Sequence, residues 1–122
     1  PVPINQSLDK SLRGLLNRLS EANCAGISQQ IIALFGNYPR GEVTDRLIHI
    51  LQVHCETNGK SFRPLSLAYA GLIIQLVRSM GIDIGGKMIE IFAKRFEEMY
   101  KASQQDKIDI CSNYLLLFSH LL

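Results

Sequence analysis

A chain of 122 residues with 47% hydrophobic and 20% charged side chains suits one globular core and is too short for two ordinary domains. Its formal charge of +2 arises from 13 basic and 11 acidic residues interspersed along the sequence, which excludes the blocked basic footprint of a dedicated nucleic-acid binder. The three cysteines, Cys24, Cys55 and Cys111, are odd in number and widely spaced, so a reducing compartment is expected and a disulfide framework is not. No basic leader opens the sequence and no apolar run approaches the ~20 residues that cross a bilayer, so no membrane partner is expected.

Helical periodicity runs through the whole chain. Leu8, Leu12, Leu15, Leu16 and Leu19 recur at helical spacing, with Ser7 placed to cap the first helix. Ile27, Ile31, Ile32, Leu34 and Phe35 mark a second, and Gly36, Asn37 and Pro39 suit a left-handed cap and a stop. A third is predicted from about Val43 to Cys55, closed by Asn58-Gly59, with Leu47, Ile48, Ile50 and Leu51 inward. Pro64 suits the first turn of a fourth, carrying Leu65, Leu67, Ala68, Leu72, Ile73, Leu76 and Val77 to a stop at Gly81. Ile84, Met88, Ile89, Ile91, Phe92, Phe96 and Met99 form a fifth, with Glu90/Lys94 and Glu97/Lys101 pairs on its outer face. Ser103 and Asp106 resemble a capping box for a sixth, with Ile110, Cys111, Tyr114, Leu115, Leu117 and Phe118 inside.

Short polar turns make consecutive helices antiparallel neighbours, giving three hairpins over about 8–36, 43–80 and 84–122. Their recurrence near the ~40-residue period of HEAT-type repeats predicts an all-α fold, an α-solenoid of stacked hairpins, with a helical bundle as the alternative. The run from Leu115 to Leu122 has no capping glycine or asparagine. That apolar end predicts a helix that continues in a longer repeat domain, of which residues 1–122 are the N-terminal part, or that self-associates.

The residues offer no catalytic constellation. His49, His54 and His120 lack Ser or Asp partners at triad spacing, and no Cys-x-x-Cys or His-x-x-x-His pattern builds a zinc site. Gly81-Ile-Asp-Ile-Gly85-Gly86-Lys87 departs from the phosphate-loop order and lacks a preceding strand. Neither enzyme activity, metal nor cofactor is expected.

The segment Gly14-Leu15-Leu16-Asn17-Arg18-Leu19-Ser20-Glu21-Ala22-Asn23 is different, because it places Asn17 and Arg18 at the end of a leucine-rich helix. Arg18 also complements the helix dipole there, so cap and contact readings both stand. Gly14 costs ~1 kcal/mol relative to Ala inside a helix, which predicts a close approach on that side, for instance by helix two. Arg13, Arg40 and Lys10 extend a basic rim.

This segment with Ile27, then Tyr38-Pro39-Arg40, Val43-Thr44, Gly81-Ile82-Asp83-Ile84-Gly85 and Phe96-Glu97-Glu98-Met99-Tyr100-Lys101, resembles the family of middle domains of eukaryotic initiation factor 4G, in its nucleolar branch. The resemblance runs from about Ser11 to the C-terminal end and is thinnest over 51–78. It implies a HEAT-repeat solenoid that docks and regulates a DEAD-box RNA helicase of the initiation factor 4A class. The second RecA-like lobe would be the partner, with Asn17 and Arg18 as the contact pair and a role in ribosome biogenesis in the nucleolus. The related pre-mRNA splicing factor with the same domain type is the alternative assignment within the family. A further alternative is RNA binding, with Lys10, Arg13, Arg18, Arg40, Lys87 and Arg95 on phosphates.

Overall fold

The structure, a computed structural model, describes residues 5–102 and 105–121, the side chains at 102, 105 and 106 excepted. It is all-α, with α1 (Gln6–Asn17), α2 (Cys24–Leu34), α3 (Arg40–Thr57), a 3-10 segment (Gly59–Leu65), α4 (Ser66–Met80), α5 (Ile82–Ala102) and α6 (Gln105–Leu121), and no strand among the described residues. The proposed Ser103/Asp106 capping box lies outside them.

Each helix forms where an apolar stripe finds cover, and the caps correct several expectations. Asn5 rather than Ser7 caps α1, its Oδ1 accepting the Leu8 N–H at 3.1 Å. Because α1 begins one residue before Ser7, that hydroxyl is left to meet the Tyr38 hydroxyl at 3.0 Å. Gly36 is not left-handed; α2 instead tightens into i→i+3 bonds, Gly36 N–H to the Ala33 carbonyl and Asn37 N–H to that of Leu34, both at 3.0 Å. Helix α3 starts at Arg40, three residues before Val43, because Pro39 supplies its N-cap backbone. Gly59 does take the left-handed φ of +52° that closes α3. Pro64 falls inside the 3-10 segment, and α4 begins only at Ser66, since fully buried Phe62 anchors the intervening turn by stacking on Tyr69 at 5.2 Å.

Odd-numbered helices touch in succession, α1 to α3 to α5, and even-numbered ones likewise, α2 to α4 to α6. Further contacts run α1 to α2, α4 to α5 and α5 to α6. The middle pair departs from a simple hairpin. The 3-10 segment packs between α3 and α4, and α6 reaches across to α3. There Asn113 Nδ2 donates to the carbonyls of Cys55 at 2.9 Å and Gly59 at 2.8 Å, and the Tyr114 hydroxyl donates to Glu56 at 2.7 Å. The His54 ring bonds the Tyr69 hydroxyl, which burial pushes up to about 12.

Leu115, expected inside, is exposed, as are Leu67 and Ile89; Leu115 stays 54% accessible because the outer side of α6 has no neighbour among the described residues. With Phe96, Tyr100, Ile108 and Cys111 it borders an open groove of about 530 Å³ along α5 and α6, where Tyr100 is 71% accessible. All three thiols are free, and burial pushes those of Cys55 and Cys111 up.

Ion pairs stitch the odd helices together. Asp9 of α1 meets Arg46 of α3 at 2.6 Å, Asp45 of α3 meets Lys87 of α5 at 2.6 Å, and Glu56 of α3 meets Arg95 of α5 at 2.7 Å. Burial pushes the Asp9 carboxyl up, but Arg13 and Arg46 outweigh it and hold the group below its ordinary 3.8. At Glu56 burial is likewise outweighed by hydrogen bonds from Arg95 and Tyr114, which hold it below 4.5. Folded values below unfolded ones mean that this stability is present above the unfolded value and is lost as pH falls through the folded one. A series of melting temperatures should therefore decline as pH drops below about 4.5. Glu56→Gln should remove part of that decline, and an undiminished decline in the variant would assign it elsewhere.

Candidate docking site at the end of α1

Helix α1 ends at Asn17 because the next residues leave helical geometry to enter the turn that leads to α2. The Leu19 side chain drops back into the core and pins that turn from below. Asn23 ties it from the other side: its Nδ2 donates to the Arg18 carbonyl at 2.6 Å and its Oδ1 accepts the Ser20 N–H at 2.7 Å. The return bond from Asn23 N–H to the Ser20 hydroxyl is 3.4 Å long. A side chain held by two backbone partners across five residues fixes the turn that carries the polar pair.

Asn17 and Arg18 are both exposed on this fixed frame. The Arg18 Nε–H donates to the Gly14 carbonyl at 3.1 Å, so the guanidinium is anchored by one nitrogen. Its terminal nitrogens have no hydrogen bond or carboxylate partner among the described residues, so an exposed two-nitrogen fork remains. Beside it, Ser11, Leu15, Gln30, Ala33 and Leu34 line a shallow groove of about 380 Å³ between α1 and α2.

Gly14 lies on the same helix and is exposed. A Cβ built there meets nothing within 4 Å, so the expected close approach of α2 is absent. The glycine's cost is therefore not repaid by packing among the described residues. Gly14→Ala should raise stability by about 1 kcal/mol in urea denaturation; a loss of stability would reveal a steric neighbour.

Of the other rim cations, Arg13 and Arg40 are engaged elsewhere. Arg13 pairs with Asp9 at 2.7 Å along α1. Arg40, at the start of α3, donates to the Met80 carbonyl at 2.7 Å and to both Asp83 oxygens at 3.0 Å, closing the α4–α5 corner. It borders a different groove, with Gly41, Thr44, Asp83, Ile84 and Lys87. The structure thus brings together Gly14, Asn17 and Arg18, and holds Arg13 and Arg40 in ion pairs. Asn23 escaped the sequence reading as an organiser, although an Asn before a helix start is an ordinary capping signal. Among the described residues, no group of three or more His, Cys, Asp and Glu converges to hold a metal ion, and no helix is long and apolar enough to cross a membrane.

No protein-family model matches the chain, and no solved structure does. Curated proteins do. The chain is 32% identical over 116 residues to human nucleolar MIF4G domain-containing protein 1, which covers 95% of this chain and 13% of that protein. Identity to the mouse protein of the same name is 31% over 114 residues, covering 93% of this chain and 13% of that protein. Suppressor of glycerol defect protein 1 of Schizosaccharomyces pombe is 28% identical over 117 residues, covering 93% of this chain and 15% of that protein. The chain therefore spans about an eighth to a seventh of the length of these relatives. Similarity at this level over nearly the whole chain, on an all-α fold, supports an MIF4G-type domain, the domain for which the human and mouse relatives are named.

Proposed function

We propose that this chain is a docking module for a DEAD-box RNA helicase of the initiation factor 4A class, working without chemistry of its own in nucleolar ribosome biogenesis. The observation that carries the reading is the Asn17–Arg18 pair: exposed, held on a fixed turn, and presenting a guanidinium fork with no carboxylate partner. Nucleolar names among the relatives support the compartment. Direct RNA binding is less well supported, since Arg13, Arg40, Lys87 and Arg95, four of its proposed phosphate ligands, are paired with carboxylates. The exposed apolar side of α5 and α6 belongs in the same reading as the seat of a further helical hairpin in a longer solenoid, or of a second copy.

Calorimetric titration with the isolated second RecA-like lobe of such a helicase tests the docking. Asn17→Asp combined with Arg18→Glu should weaken binding at least about tenfold, or ~1.4 kcal/mol. An unchanged affinity with an intact helical spectrum would remove the contact from consideration.

A further inference from the structure

We infer that the surface seated at Arg18 is recognised by two side chains together: a carboxylate on the guanidinium fork, and an adjacent apolar side chain in the α1–α2 groove. This deepens the docking reading and rests on it. The first half comes from charge. Arg18 is anchored through Nε to the Gly14 carbonyl, leaving its two terminal nitrogens to meet a planar acid in the bidentate manner that guanidinium favours. No carboxylate among the described residues occupies them, although Arg13, Arg40, Arg46 and Arg95 all have one.

The second half comes from what surrounds that fork. Arg18 is itself part of the groove lining, together with Leu15, Ala33 and Leu34, whose aliphatic surfaces make its apolar side. Its volume of about 380 Å³ suits one or two side chains, not a helix. Gln30 and Ser11 supply the neutral polar edge, so the only formal charge in the lining is Arg18. The small residue Ala33 stands exposed on α2, and Gly14 leaves open space above α1, so the approach is not obstructed from either helix. A purely acidic partner would leave the aliphatic side wetted, and a purely apolar one would leave the fork unpaired. The acid-plus-apolar pair satisfies both.

Two substitutions at exposed positions separate this inference from the docking reading, each measured by titration with the same isolated helicase lobe alongside Arg18→Glu. Ala33→Trp fills the groove, and Gln30→Glu places a competing carboxylate in its lining beside Arg18. Each should weaken binding at least about tenfold while leaving the melting temperature unchanged, because neither touches the core. If either variant binds within about twofold of the original chain while Arg18→Glu loses affinity, the two-part recognition is overturned and docking through Arg18 stands. If Arg18→Glu also binds normally, both readings fall together.

Discussion

Replacing Asn113 by Leu should destabilise the chain by about 1–3 kcal/mol, the cost of leaving the buried Cys55 carbonyl without its donor. Asn113 is only 5% accessible, and its single amide group donates to the carbonyls of Cys55 and Gly59. The Cys55 carbonyl lies in the last turn of α3, where the helix ladder no longer supplies a donor, whereas that of Gly59 opens the 3-10 segment. One side chain of α6 therefore performs the capping that α3 cannot perform for itself. Asn113→Asp should be worse than Leu, because a carboxylate replaces a donor with an acceptor facing two oxygens. Urea denaturation reads both variants. A loss below about 0.5 kcal/mol for Leu, the size of an ordinary surface substitution, would show that other donors take over the two carbonyls.

The second large effect lies one residue further on. Tyr114→Ala should cost about 3–5 kcal/mol, the usual range for deleting a buried aromatic ring. Tyr114 is fully buried, meets Phe92 of α5 at 5.8 Å between ring centres, and gives its hydroxyl to Glu56 of α3. Burial and the Glu56 bond both push its phenol well above the ordinary value, so the hydroxyl stays a donor throughout the working pH range. Tyr114→Phe keeps the ring and removes only that bond; about 1–2 kcal/mol is expected, since Glu56 retains Arg95. Equal losses for Phe and Ala would place the stabilisation in the hydroxyl and not in the ring.

The helices were legible because each carries its own evidence. Leu8, Leu12, Leu15 and Leu16 are all buried, as their spacing requires. Periodicity reports one helix at a time, however, and it is blind to which neighbour covers a stripe. Leu67, Ile89 and Leu115 fit their helical patterns yet are exposed, because their sides of α4, α5 and α6 meet no partner among the described residues. Pro64 was assigned to the first turn of α4 from a real preference, but Phe62 holds that stretch as a separate 3-10 segment. The glycine at 36 is compatible with a left-handed cap, but the α2 end closes by tightening its last turn instead.

The site divides in the same way. Asn17 and Arg18 could be singled out because they interrupt a local pattern, and the structure leaves both exposed. Arg13 has its carboxylate, Asp9, at the ordinary four-residue helical spacing, so that pair was legible, whereas the partner of Arg40 was not. Arg40 finds Asp83 more than forty residues away, and only the packing of α3 beside α5 brings them together. The groove at Leu15, Ala33 and Leu34 was likewise hidden, since two helices must be placed side by side before a furrow exists between them.

The Asp9–Arg46, Asp45–Lys87 and Glu56–Arg95 pairs all bridge odd-numbered helices, whereas the contact of α2 with α4 brings together aliphatic side chains and the thiol of Cys24. These two kinds of seam answer to different solvent variables. Added salt screens the exposed Asp45–Lys87 pair most and the partly buried Asp9–Arg46 and Glu56–Arg95 pairs less, and cooling weakens apolar burial. Ionic strength is thus a handle on one side of the molecule, and low temperature a handle on the other.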